Sequence, residues 1–186
     1  MGAFETEGSG ATARERESRM LTGLFRDRES AEGAYRSLSS RGYGQDDVNL
    51  LMSDETRKKY FSDDDNDTEL GTKAWEGAGK GAAIGGGVGA TLAAIAAVGT
   101  TLALPGVGLL IAGPLAAALA GGGGGALTGG LIGALVGSGI PEDHAKHYDQ
   151  GIRDGGIVMG VNPRNDEDAE YFETEWRNNR AEQLYR

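Results

Sequence analysis

From residue 81 to residue 141 the chain carries no charged side chain and consists almost entirely of Gly, Ala, Leu, Ile and Val. A stretch this apolar must be buried in protein or in lipid. Within and just before it, glycine recurs every fourth residue. One series is Gly77, Gly81, Gly85 and Gly89; the other is Gly121, Gly125, Gly129, Gly133 and Gly137. A spacing of four places each series on one stripe of an α-helix. A stripe without side chains lets a second backbone approach closely, as in small-xxx-small helix packing.

Glycine weakens an exposed helix by about 1 kcal/mol relative to alanine, so the run from Gly121 to Gly125 alone costs roughly 5 kcal/mol in water. Packing must offset that. The pattern therefore predicts a helical hairpin over residues 76–140. Its first helix is expected from Lys73 to Leu104, a break at Pro105-Gly106-Val107-Gly108 and a short apolar piece from Leu109 to Ala112. A second helix should begin near Pro114 and end near Gly137–Gly139. The part of the first helix from Gly81 to Leu104 would extend about 36 Å, enough for a hydrocarbon core of about 30 Å.

Two readings of the hairpin stay open. In one it enters or spans a bilayer, although Ala and Gly make its hydropathy borderline. Both termini then share one side, and Lys73, Lys80, Lys146 and Arg153 place that side in the cytoplasm. In the other, the hairpins are buried between subunits of a soluble cytoplasmic homo-oligomer. A flexible linker is disfavoured, because Leu92, Ile95, Leu102, Leu115, Leu119, Leu127, Leu131 and Leu135 make the segment too apolar to stay solvated.

The flanks are the opposite in character. The chain of 186 residues has a formal net charge of -10, all of it outside the uncharged segment. Such a balance argues against nucleic acid as a partner, because phosphate recognition needs clustered Lys and Arg. With no cysteine there is no disulfide and no thiolate chemistry. Residues 1–19 read as a disordered polar tail. Met20 to Arg26 reads as a strand, the next stretch, capped by Asp27 or Ser30 and running to about Ser40, as a helix with Ala31, Ala34, Tyr35 and Leu38 on one face, and Val48 to Met52 as a second strand. After the hairpin come a helix from Pro141 to Arg153, a strand from Ile157 to Val161 and a final helix from Asp166 to Tyr185.

The fold expected is thus α+β. A small ferredoxin-like domain is assembled from a β-α-β half (20–75, with an acidic connector) and an α-β-α half (141–186), and the glycine-zipper hairpin is inserted between them.

Candidate chemistry is thin. Gly85-Gly86-Gly87-Val88-Gly89-Ala90 satisfies a dinucleotide fingerprint, but no strand precedes it and the composition makes such matches easy. Asp63, Asp65 and Asp67 open like a calcium loop, yet Thr68 stands where glycine is required and Ala74 where the closing glutamate belongs. His144 and His147, three apart on a helix beside Asp143 and Asp149, can be drawn as a metal site with no further ligand indicated. Trp75 suits an interface anchor and Trp176 a core position. No catalytic residue, cofactor, metal or small-molecule substrate is expected; a homo-oligomer is, with membrane lipid as a second partner.

The order of several short pieces resembles the bacterial general stress proteins, the heat- or low-temperature-induced group with 17M-type members. They are Leu21-Thr22-Gly23-Leu24-Phe25 with Asp27, Ala31 and Glu32; Gly42-Tyr43; Val48-Asn49-Leu50-Leu51-Met52-Ser53-Asp54-Glu55; Gly71-Thr72-Lys73-Ala74 and Glu76-Gly77-Ala78. After these come Leu104-Pro105-Gly106-Val107-Gly108, Ala112-Gly113-Pro114-Leu115-Ala116, Gly139-Ile140-Pro141-Glu142, Tyr148, Gly151 and Gly155-Gly156-Ile157-Val158. The resemblance implies a bacterial, non-enzymatic protein linked to stress and supplies no catalytic residues. The last helix is more charged and longer than that group's usual ending.

Overall fold

The computed structural model describes residues 20–61, 100–104, 107–116 and 125–186. Within them the chain is a mixed α+β fold built on a six-stranded sheet. In chain order the elements are β1 (Leu21–Phe25), α1 (Arg28–Ser40), β2 (Val48–Ser53), α2 (Asp54–Phe61), β3 (Thr100–Leu104), β4 (Val107–Ala112), α3 (Gly125–Gly137), α4 (Glu142–Arg153), β5 (Ile157–Val161), α5 (Asp166–Asn178) and β6 (Glu182–Tyr185). The strand order is β3-β4-β2-β5-β1-β6, and every neighbouring pair is antiparallel. Since β1 and β2 both run antiparallel to β5, they are parallel to each other and α1 crosses between them.

The central strands are apolar on both sides because both sides of the sheet are covered there. β1, β2 and β5 are buried along their whole lengths. Period-two alternation sends Leu21, Phe25, Leu50, Met52, Leu110, Ile157 and Met159 to one face, against Ala31, Ala34, Tyr35 and Leu38 of α1 and Phe172 and Trp176 of α5. Leu24, Leu51, Leu109, Ile111 and Val158 go to the other, against Leu131 and Leu135 of α3 and Ala145, Tyr148 and Ile152 of α4. The result is three layers, helices over sheet over helices.

The helix boundaries follow local chemistry. Asp27 caps α1 by accepting from the Ser30 amide at 2.8 Å, and Asn165 caps α5 by accepting from the Asp168 amide at 2.8 Å. Four helices close with paired 6→1 and 5→2 amide bonds. For α1 these are Tyr43 N–H to Leu38 O and Gly42 N–H to Ser39 O; for α3, Ile140 N–H to Leu135 O and Gly139 N–H to Val136 O. For α4 they run from Gly156 to Gly151 and from Gly155 to Ile152, and for α5 from Ala181 to Trp176 and from Arg180 to Arg177. Gly42, Gly139 and Gly155 supply the left-handed residue at three ends, whereas α5 forces Arg180 to φ 61°.

Several sequence expectations differ from this arrangement. The first hairpin helix was expected to reach Leu104, but Thr100–Leu104 is strand β3, paired residue for residue with β4. The short apolar piece at Leu109 is part of that β4, Val107–Ala112. Pro105-Gly106, read as a helix break, lies outside the described residues; the β-branched pair Thr100-Thr101 favours the strand. The rest of that helix, 73–99, lies outside the described residues. The second helix, expected from Pro114 to Gly137–Gly139, is helical at Pro114, Leu115 and Ala116 and again in α3, where Gly130 at φ 60°, ψ -150° interrupts it; residues 117–124 lie outside the described residues. The final helix ends at Asn178 rather than at Tyr185, and the chain turns back as β6.

The described part of the expected hairpin is therefore not a pair of helices standing apart. It adds β4 to the β2 edge with a register from Leu50↔Ala112 to Ser53↔Leu109. The exit from β4 is fixed by Gly113, whose φ of +96° and closeness to the Val48 carbonyl leave no room for a Cβ. The amide of Leu115 then donates to Asn49 Oδ1 at 2.7 Å, which pins the following turn to β2.

Candidate functional site

Four of the nine spaced glycines fall on α3. Gly77, Gly81, Gly85, Gly89 and Gly121 lie outside the described residues, as do Trp75, Lys73, Lys80, Asp63, Asp65, Asp67 and the fingerprint-like run from Gly85 to Ala90. On α3 the break at Gly130 separates Gly125 and Gly129 from Gly133 and Gly137, so the four do not share one continuous helical stripe.

The two turns after the break are amphipathic in an unusual sense, because both sides are uncharged. Leu131, Ala134 and Leu135 are buried, with exposures of 7%, 3% and 0%. Their spacing of i, i+3 and i+4 puts them on one side, against α4 and the sheet. Gly133, Val136 and Gly137 take the other side, while Ile132 lies at the flank, partly buried against the same cluster. Val136 is 43% exposed and is the exposed large hydrophobic residue among those described. A Cβ added at Gly137 would meet nothing within 4 Å. This outward strip, one branched side chain beside two glycines, is a surface a second backbone can approach closely.

Gly151 of α4 and Gly156 just beyond its end have a different task. A Cβ at Gly151 would run into the Leu24 side chain, and one at Gly156 would sit 2.8 Å from both the Gly151 carbonyl and Leu24 Cδ1. These glycines seat α4 on the sheet and leave no space for a partner.

The histidine pair does not converge. His147 is exposed and its Nδ1 lies 2.7 Å from the Asp143 carbonyl, while the half-buried His144 ring lies 4.9 Å from the Tyr185 ring. No group of three His, Asp or Glu side chains able to hold a metal ion occurs among the described residues. The cations flanking the expected span on its C-terminal side are engaged locally: Lys146 pairs with Glu142 at 2.7 Å, and Arg153 with Asp149 at 2.8 Å. Trp176 is fully buried, as expected of a core position, and meets Phe25 edge-to-face at 5.6 Å.

Two polar clusters escaped the sequence reading because their members are far apart in the chain. In the first, Tyr43 Oη donates to Asp168 Oδ2 at 2.8 Å and accepts from the Arg164 amide at 2.7 Å. Arg41 reaches both Glu167 and Asp168, at 3.0 and 3.2 Å, and the Arg164 guanidinium lies 4.0 Å above the Tyr43 ring. Burial raises the Tyr43 pKa, and the hydrogen bond to the Asp168 carboxylate adds to the rise. In the second, Tyr148 Oη sits 2.9 Å from Thr22 Oγ1 and donates to the Gln183 carbonyl at 2.5 Å. Burial pushes its pKa up to about 12. In both clusters the polar atoms are used to join α1 to α5, and α4 to β1 and β6. They act as structural ties between elements.

A shallow surface depression lined by Pro163, Asn165, Asp166, Ala169 and Arg186 offers no enclosed volume for a ligand. Among the described residues no helix is long and apolar enough to cross a membrane. The feature with the clearest capacity for contact is thus the outward strip of α3. Compared with family models, with curated proteins and with solved structures, the chain matches none of them.

Proposed function

We propose that this protein is a non-enzymatic, self-associating protein of the bacterial stress response, in which the uncharged segment provides the contact surface. The observation that carries the reading is the outward strip of α3, where Val136 stands exposed beside Gly137 and open space. Close helix contact there would bury that apolar surface and compensate for the poor helix propensity of the glycines. The link to stress rests on the resemblance of the ordered motifs from Leu21 to Val158.

The scaffold is a ferredoxin-like core with an elaborate insertion. Its four strands β2-β5-β1-β6, with α1 and α5 as the two crossovers on one face, support this. In that reading the insertion extends the sheet with β3 and β4 and covers its second face with α3 and α4.

A soluble homo-oligomer is the form of association favoured by a specific observation. Leu115, Ala116, Leu131 and Leu135 of the expected second span are packed against Tyr148, Ile152 and the sheet, and so are committed to protein. The alternative is a hairpin held at or in the cytoplasmic membrane.

Sedimentation of the full chain with and without detergent tests the choice. A discrete oligomer in plain buffer supports the proposal. Dispersal only in detergent, with the protein retained in membranes through a carbonate wash, supports the membrane form. A monomer under both conditions overturns self-association.

A further inference from the structure

The two edges of the sheet are built differently. At one edge β6 has only four residues, carries Glu182 paired with Arg26 at 2.9 Å, shifts register against β1 between Thr22 and Leu24, and has Gln183 at φ 51°. Charge, shortness and irregular backbone are the devices that stop a sheet edge from recruiting another strand. At the other edge β3 has none of them. Its sequence Thr-Thr-Leu-Ala-Leu is uncharged, free of proline and in unbroken register with β4 over five pairs, from Thr100↔Ile111 to Leu104↔Val107.

The register also fixes which backbone groups are free. Two residues separate Leu104 from its partner Val107; a closing pair at that separation is of the hydrogen-bonded kind, which directs the amides and carbonyls of Leu104, Leu102 and Thr100 to β4. Thr101 and Ala103 direct theirs away, and among the described residues no strand pairs with that side.

We infer that β3 pairs antiparallel with β3 of a second copy of this chain, about a two-fold axis at Leu102. In that register Thr101 faces Ala103 of the copy, and Ala103 faces Thr101. All four outward groups on each strand are then satisfied and the two sheets become one. The occupant is a second copy for two reasons. Each chain carries a net charge of -10, so copies repel except where they meet through the segment that has no charge. The irregular β6 edge cannot continue a β3 ladder, which disfavours head-to-tail pairing, whereas a β3–β3 contact closes on itself as a dimer. This contact is separate from the helical strip of α3.

The chain has no native cysteine, so one introduced thiol reports cleanly. In the full chain, Leu102→Cys is expected to give a covalent dimer on mild oxidation, and Glu182→Cys on the β6 edge is not. Adding Ala103→Pro to Leu102→Cys removes an outward donor without touching the β4 ladder. It should slow cross-linking by about tenfold or more. Gly137→Leu should leave cross-linking unchanged, so failure of the helical contact and failure of this one are distinguishable. Thr101→Lys, a second variant whose backbone still pairs with β4, should weaken dimerisation by about tenfold in sedimentation equilibrium. The inference is overturned if Leu102→Cys remains monomeric, if Glu182→Cys cross-links equally fast, or if neither Ala103→Pro nor Thr101→Lys changes association.

Discussion

The two faces of the sheet are covered by different materials from different parts of the chain. The face under α1 and α5 is aromatic. Phe25 and Trp176 meet edge-to-face at 5.6 Å, and Tyr43 and Phe172 at 4.9 Å. The helices that cover it come from the polar flanks and carry their charges outward. The face under α3 and α4 is aliphatic, with Tyr148 as the large aromatic residue of its cluster, and it is approached closely through glycines. One face completes itself within the domain. The other leaves Val136 and the Gly137 backbone in the open. The contrast locates the surface with something still to bury on the layer that the uncharged segment supplies.

The largest expected effect probes the aromatic face. Trp176→Ala removes the biggest fully buried side chain and should cost about 3–5 kcal/mol, read as a lowered denaturation midpoint. The faces share β1, β2 and β5, so near-ultraviolet and far-ultraviolet circular dichroism should report one coincident transition. Separate transitions would break the picture of two faces on one core.

On the aliphatic face, Gly113→Ala puts a Cβ at positive φ against the Val48 carbonyl and should cost about 2–4 kcal/mol. A change below about 0.5 kcal/mol, within the range of ordinary surface substitutions, would mean that the exit from β4 is looser than described.

Tyr148 gives the same face a pH signature. Its folded pKa of about 12 lies above the ordinary value of 10.0, so burial favours the neutral phenol. That stabilisation is fully present below pH 10 and is lost as pH rises through the folded value. Unfolding free energies should fall by about 2–3 kcal/mol between pH 10 and 12. Tyr148→Phe should be less stable at neutral pH and should lack this tyrosine's part of the alkaline slope; an unaltered slope would assign it to other groups.

The smallest effect concerns the aromatic face again. Arg180 occupies the left-handed position that glycine fills at the ends of α1, α3 and α4. Arg180→Gly should stabilise the fold by up to about 1 kcal/mol in thermal melts, since it relieves a non-glycine positive φ and gives up only an exposed 3.7 Å contact with Asp27. A loss of stability would mean that the ion pair matters more than the backbone.

The polar flanks were legible in the sequence because their signals are local. Asp27 before Ala31-Ala34-Tyr35-Leu38, the apolar run from Val48 to Met52, and Gly155-Gly156 before Ile157 each specify an element with its neighbours alone. β6 was missed because α5 ends at an arginine, so the chain carries no glycine to mark the reversal. β3 was missed because glycine, alanine and leucine spacing fits a helix while Thr100–Leu104 pairs with residues 107–111, and that pairing overrides a weak helical period. The α3 strip was half legible. The glycine spacing pointed to a contact surface, but Leu131 and Leu135 are buried by a cluster drawn from β1, β2, β4, β5 and α4, which the local sequence does not announce. The ties through Tyr43 and Tyr148 join residues more than a hundred positions apart and leave no local signal.

The central claim is that the outward side of α3 is where copies of this protein meet. Gly137→Leu tests it most directly, because the site has open space in the single chain and leucine is the better helix former. Sedimentation equilibrium of the full chain beside its thermal melt should give a fold at least as stable as the parent and an assembly reduced in size. An assembly of unchanged size, from an equally stable Gly137→Leu chain, would contradict the account.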